Sequence, residues 1–224
     1  MIKAVVFDLW ETLIPATIDF VHLASLLKKG KVPMHDFLRR YELAVQLKKY
    51  RGVEELRKDF FKAFGEENKE TLEEELYEVF FNRFDKIRYY PEAEEVLKKL
   101  KSEGYKLALL SNTESVHASE IVKKLSFEKY FDALCFSFEI GAIKPDEKVF
   151  RCALNELKIK PSEALMVGNS LRSDIGGAQK VGMHTCWINR KERPIDSVTV
   201  KSEFEISSLD KIFWVLGELN SNQK

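Results

Sequence analysis

Four short stretches of this chain each carry a side chain that could do chemistry: Asp8 with Thr12, Ser111 with Asn112, Lys144, and Asn169 with Asp174. An aspartate with a pKa of about 4 is ionised at pH 7, so it can attack an electrophilic phosphorus or carbon without a base to activate it. Two hydroxyls, an amide and an ammonium suit an anionic group, and Lys144 would offset the charge that builds up beside Asp8. A second carboxylate at Asp174 could hold a divalent cation jointly with Asp8, since magnesium commonly takes one or two protein carboxylates. Each stretch also has a plainer reading. Ser111-Asn112 could be turn residues, Lys144-Pro145-Asp146 a loop entering a helix, and Asp174 a helix N-cap.

The elements that must position these residues alternate in type. Ala4 to Phe7 is an apolar run suited to a strand buried on both faces, and Asp8 follows at its end. Lys106 to Leu110 is a second such strand, ending in Ser111 and Asn112; Ala133 to Ser137 is a third, leading into GAIKPDEKVF and Lys144. Ala164 to Val167 is a fourth, followed by Gly168-Asn169-Ser170, and His184 to Ile188 a fifth. Between them the spacing predicts helices from Pro91 to the stop at Gly104, through Ile121 to Leu125, over Asp146 to Leu157 and over Asp174 to Val181. A last helix is expected near Leu209 to Leu219. Strands alternating with helices imply a doubly wound parallel α/β sheet, in which the carboxyl ends of the strands border the ligand crevice. Asp8, Ser111, Lys144 and Asn169 all follow such ends.

Residues 16 to about 88 read differently. Met34, Phe37, Leu38, Tyr41, Ala44 and Val45 recur at helical spacing, as do Leu56, Phe60, Ala63 and Phe64. Thr71 to Glu74 reads as a capping box opening another helix, and the acidic run Glu66 to Glu78 as its solvated face. The expected organisation is a core of residues 1–15 and 88–224 interrupted by an all-helical cap at 16–87, packed over the crevice.

Composition narrows the classes. Lys+Arg and Asp+Glu are both 36, so no global basic field points to nucleic acid. Cys135, Cys152 and Cys186 are widely spaced in apolar surroundings, as reduced core cysteines are. The N-terminus lacks a basic-then-apolar leader, and no apolar run is long enough to span a bilayer. The expected setting is the cytoplasm and the expected partner a small anionic substrate, with neither nucleic acid nor membrane; oligomeric state is not set by the sequence. Trp187, Phe213 and Trp214 are expected in the core.

FDLWETL, LALLSN, GAIKPD and MVGNSLRSDIGGA resemble, in order and spacing, motifs one to four of the haloacid dehalogenase (HAD) superfamily, and the helical insertion resembles its type C1 cap. The resemblance implies a Rossmann-like core and Asp8 as a nucleophile that forms a covalent aspartyl intermediate. It also implies that Thr12 supports the loop, that Ser111 binds the transferred group with Asn112 beside it among the catalytic residues, and that Lys144 holds that group against Asp8. Asp8, the backbone carbonyl of Trp10, Asn169 and Asp174 would stand at the metal position.

Two positions depart from the phosphatase pattern. Family phosphatases usually place a second Asp, the general acid and base, where this chain has Trp10, and an indole cannot donate and reclaim a proton. Magnesium-dependent members usually carry Asp at the Asn169 position. Both departures resemble the metal-independent 2-haloacid dehalogenases, in which a cap arginine binds the leaving halide; Arg39 or Arg40 in HDFLRRYELA would be its counterpart. Against this, Phe150 and Leu171 replace the Tyr and Asn of that branch, and GNSLRSDIGGA keeps the phosphatase spacing. The first reading is a small-molecule phosphate monoesterase with Mg2+. The alternative is a 2-haloacid dehalogenase with no metal, and a catalytically silent binder comes third.

Overall fold

Apolar side chains point alternately to the two faces along every central strand, which is how a strand covered on both sides is written. The computed structural model of the protein describes residues 1–18, 20–27, 32–65, 86–193 and 200–221. Its strands are β1 (Ala4–Phe7), β2 (Lys106–Ser111), β3 (Ala133–Phe136), β4 (Ala164–Gly168), β5 (His184–Ile188) and β6 (Phe204–Ile206). They form one parallel sheet in the order β3-β2-β1-β4-β5-β6. Val5, Phe7, Leu107, Leu109, Leu165 and Val167 face one apolar layer; Ala4, Val6, Ala108, Leu110, Ala164 and Met166 face the other. Each large side chain buried in this way contributes about 1.5–3 kcal/mol.

Helices α4 (Ala93–Ser102), α5 (Ser115–Lys124) and α9 (Ile212–Ser221) cover the first layer; α7 (Glu147–Leu157) and α8 (Gly176–Lys180) cover the second, and α6 (Ser137–Ile140) follows β3 directly. These carry the labels that follow α1 (Phe20–Leu26), α2 (Met34–Val45) and α3 (Val53–Phe64) in the inserted block. Gly104 does end the α4 segment, at φ 87°. Asp146 caps α7, its carboxylate accepting from the Lys148 amide at 2.9 Å.

Helices α1 to α3 bury a separate apolar cluster that includes Leu23, Phe37, Tyr41, Phe60 and Phe64, and so form a helical cap beside the Rossmann-like core. The cap is tied to the core where the Tyr50 amide donates to Ser115 Oγ at 2.8 Å. The segment from Gln46 to Gly52 is not helical, so this block is not continuous helix. The capping box at Thr71, its helix and the acidic run Glu66 to Glu78 lie outside the described residues.

The structure corrects several expectations. Ser137 opens α6 instead of closing β3, because β3 pairs with β2 only through Phe136. Leu171–Ile175 forms a wide helical turn ahead of α8, the Ile175 amide reaching back to the Ser170 carbonyl at 3.2 Å. Strand β6 was not expected. Trp187 is buried, but Trp214 is 56% exposed on the outer side of α9, its ring edge-on to Phe204. All three cysteines are free, yet Cys135 and Cys152 bring their sulfurs to 3.3 Å, a proximity their sequence separation hides. Among the described residues no helix is long and apolar enough to cross a membrane.

Candidate active site

Asp8 begins where β1 ends. Its amide still bonds the Val167 carbonyl of β4, so the backbone is held by the sheet while the side chain leaves it. The chain then turns at Glu11, a non-glycine residue at φ 59°. Three contacts offset that conformation. Glu11 Oε1 accepts from the Ala16 amide, Glu11 Oε2 pairs with Lys191 at 2.8 Å, and Arg190 donates to the Thr12 carbonyl at 2.8 Å. Arg190 also pairs with Glu92 at 2.7 Å and lies over the Tyr90 ring. The Asp8 loop is thus braced from the end of β5.

The centre of the site is the ammonium of Lys144, 3% exposed, which lies 2.5 Å from Asp8 Oδ1, 2.7 Å from Asp174 Oδ1 and 3.0 Å from the Leu110 carbonyl. Thr12 Oγ1 donates to Asp8 Oδ2 at 3.0 Å, so the nucleophile candidate is held by both oxygens. The Asp174 carboxylate accepts from the Ser170 amide at 2.9 Å through Oδ2, and its Oδ1 faces Lys144 without an aligned hydrogen bond. Burial pushes the Asp8 carboxyl up; Lys144 pulls it down and Asp174 pushes it up again, leaving it raised to about 6. Burial alone would depress Lys144, but Asp174 and Asp8 outweigh it and hold the ammonium above the usual lysine range. Two carboxylates sharing one cation leave the pair short of positive charge, which an anion's counter-cation could supply.

The remaining predicted residues divide. Ser111 ends β2 with its hydroxyl buried and unpartnered, a group waiting for an acceptor. Asn112 is committed to structure on one side, its Oδ1 accepting the Lys144 amide at 3.0 Å. The Asn169 carbonyl accepts from Trp187 Nε1 at 2.9 Å, which locks the loop after β4. Trp10 is half-buried against the core layer beneath α4. Of the two arginines, Arg39 reaches the site, donating to the Lys144 carbonyl at 3.5 Å. Arg40 lies instead with its guanidinium 5.8 Å from the Phe64 ring centroid within the cap. Neighbours on a helix point about 100° apart, so one arginine faces the core when the other cannot.

Glu42 was missed. It sits one turn after Arg39 on α2, takes a 3.4 Å hydrogen bond from Asn112 Nδ2 and lies 3.7 Å from the Arg39 guanidinium. Its only sequence signal is the three-residue spacing from Arg39. Arg190 was also missed; it follows a strand end like the other site residues, but it contacts backbone and gives no motif.

Two glycines show how closely these loops approach. A Cβ on Gly168 would stand 2.5 Å from Asp174 Cγ, and one on Gly177 would stand 2.3 Å from the Phe150 ring. Gly168→Ala must therefore push Asp174 away from Lys144. The expected result is a loss of stability of about 1–3 kcal/mol, as overpacking costs, with at least a tenfold fall in turnover. Thermal denaturation and steady-state kinetics on the same preparation check it.

The haloacid dehalogenase-like hydrolase family matches residues 2–182 of the chain. The chain is 28% identical over 238 residues to a glyceraldehyde 3-phosphate phosphatase of Pyrococcus furiosus, covering all of this chain and 96% of that one. It is 28% identical over 143 residues to (S)-2-haloacid dehalogenase 4A of Burkholderia cepacia, covering 64% of this chain and 62% of that one. A HAD phosphatase structure from Thermococcus onnurineus superposes with a TM-score of 0.66 at 29% identity, over 96% of this chain and 98% of that one. With this fold, these motifs and a match across most of its length, the chain belongs to the haloacid dehalogenase-like hydrolases.

Proposed function

We propose that the protein hydrolyses small phosphate monoesters, with Asp8 as nucleophile. The observation that carries the proposal is the buried Lys144 ammonium bridging Asp8 and Asp174, with the unpartnered Ser111 hydroxyl ending the neighbouring strand. Between the two sequence relatives, the phosphatase aligns over the full chain and the dehalogenase over about two thirds, which supports the choice of substrate.

Asp8 is held on one side by Thr12 and on the other by Lys144, so its remaining lone pairs have a fixed direction. Lys144 offsets negative charge as an oxygen of Asp8 bonds to phosphorus and the bond from phosphorus to the ester oxygen breaks, releasing the alcohol, and the Ser111 hydroxyl donates to a phosphoryl oxygen. Water then cleaves the aspartyl phosphate and restores Asp8.

The donors fit magnesium. Asp8, Asp174, the Trp10 carbonyl and the Asn169 amide are all hard oxygen donors, and Asp8 and Asp174 bring two buried carboxylates to one ammonium. These residues would hold the ion, which when bound supplies charge neutralisation at the phosphoryl oxygens.

The 2-haloacid dehalogenase remains the second reading because Arg39, a cap arginine, does reach the Lys144 carbonyl. A paired assay separates the two. With p-nitrophenyl phosphate and L-2-chloropropionate given separately, the expected result is phosphate release that requires magnesium and stops with chelator. Chloride release indifferent to chelator would overturn the phosphatase reading in favour of the second.

A further inference from the structure

Expelling an alkoxide from phosphorus requires a proton, and among the described residues Asp8, Asp174 and Glu11 are committed elsewhere. Asp8 is the attacking group. Asp174 is paired with Lys144 and holds the Ser170 amide. Glu11 is fixed by Lys191 and the Ala16 amide, and although burial opposes it, these contacts hold its carboxyl below the ordinary range, so it stays ionised. Trp10, two residues after the nucleophile, has no transferable proton. Among the described residues Glu42 is a further carboxylate here, in contact with Asn112.

We infer that Glu42, presented by cap helix α2, is the acid that protonates the leaving group of this reaction. The inference rests on the phosphatase reading. In-line attack by Asp8 sends the leaving oxygen outward from the strand ends, toward the element that covers them. Among the described residues helix α2 lies there: Glu42 meets Asn112, which follows Ser111, and Arg39 meets the Lys144 carbonyl. The Glu42 side chain is only a quarter exposed.

Its electrostatic setting is compatible with the task. Burial raises the carboxyl; the Asn112 amide, Arg39 on its own helix and Lys144 after β3 lower it, Asp174 after β4 raises it, and the net direction is upward. A carboxyl displaced toward neutrality is what general-acid work needs.

As the bond from Asp8 to phosphorus forms, the bond from phosphorus to the ester oxygen breaks and that oxygen takes the Glu42 proton. In the second half, water attacks the aspartyl phosphate, gives its proton to the Glu42 carboxylate, and phosphate departs with Asp8 and Glu42 restored.

Glu42→Gln tests this by the rate of the first turnover with two esters. The p-nitrophenolate leaving group of p-nitrophenyl phosphate needs no proton, whereas the alkoxide of glyceraldehyde 3-phosphate does. The expected first turnover of p-nitrophenyl phosphate stays within about threefold of wild type, followed by accumulation of phosphoenzyme; that of glyceraldehyde 3-phosphate falls about 10²–10⁴-fold, the usual size of a general-acid contribution. Gln keeps the size of Glu42 and its acceptor for Asn112, and the nitrophenyl arm reports whether the site still assembles. Equal losses with both esters would make Glu42 a binding or positioning residue, and no loss with either would remove it from catalysis; both overturn the inference while leaving the phosphatase reading intact. A wild-type protein that releases no phosphate from either ester overturns the reading and the inference together.

Discussion

Asp8→Asn should abolish turnover, by on the order of 10³-fold or more, the scale seen when a nucleophile is removed, and yet leave the protein folded. An amide oxygen can still accept from Lys144, and the amide nitrogen can donate to the Thr12 hydroxyl in place of the present bond. Lys144 also keeps Asp174 and the Leu110 carbonyl. The stability consequence has a definite sign. Asp8 is raised from 3.8 to about 6, so the folded protein holds this proton more tightly than the unfolded chain. Its contribution to stability is complete below about pH 4 and is lost as pH rises through 6. The Asn variant does not titrate, so its Tm relative to wild type should improve from pH 4 to pH 7. Melting curves across that range, in chelator, together with turnover on p-nitrophenyl phosphate, measure both halves. Full activity in the variant would end the nucleophile assignment.

Lys144→Met should have the larger effect on stability. It removes the cation that pairs with two carboxylates that are 5% and 1% exposed, leaving two buried like charges near each other. Breaking a buried pair by deleting one partner costs about 3–5 kcal/mol, which for a domain of this size is roughly 6–20 °C in Tm. Part of the loss should return as pH is lowered, because protonating one carboxylate relieves the repulsion that the ammonium no longer cancels. Turnover should be undetectable at every pH. Arginine is not expected to rescue either property: its planar guanidinium is too broad for a position where a compact ammonium meets three oxygens within 3.0 Å. A Tm unchanged from wild type at neutral pH would contradict the picture of a shared buried cation.

The strands were readable because burial on both faces demands uninterrupted apolar residues, and Ala4–Phe7, Lys106–Ser111 and Ala164–Gly168 supply them almost without exception. Polar residues that interrupt such runs at one end stand out, which is why Asp8, Ser111 and Asn169 could be picked from sequence. Short elements carry too few residues for any period to show, and so Ser137–Ile140 and Phe204–Ile206 went unread. Trp214 misled because an amphipathic face is judged by neighbours: Val215, Leu216 and Leu219 turn inward on α9 while the indole lies outside against Phe204.

By itself the sequence determined the class of sheet, the strand ends that carry the candidate residues and the family to which those motifs belong, all of which depend on local pattern and on order along the chain. Only the tertiary structure decided that one ammonium serves both Asp8 and Asp174, that Arg39 turns to the core while Arg40 stays within the cap, and that Glu42 closes over Asn112. The first depends on how loops after three separate strands converge, and the others on how a helical block docks on strand ends more than 60 residues away in the chain. The rotation of a helix about its own axis when it docks is set by packing against its partner, and no repeat within the helix records it.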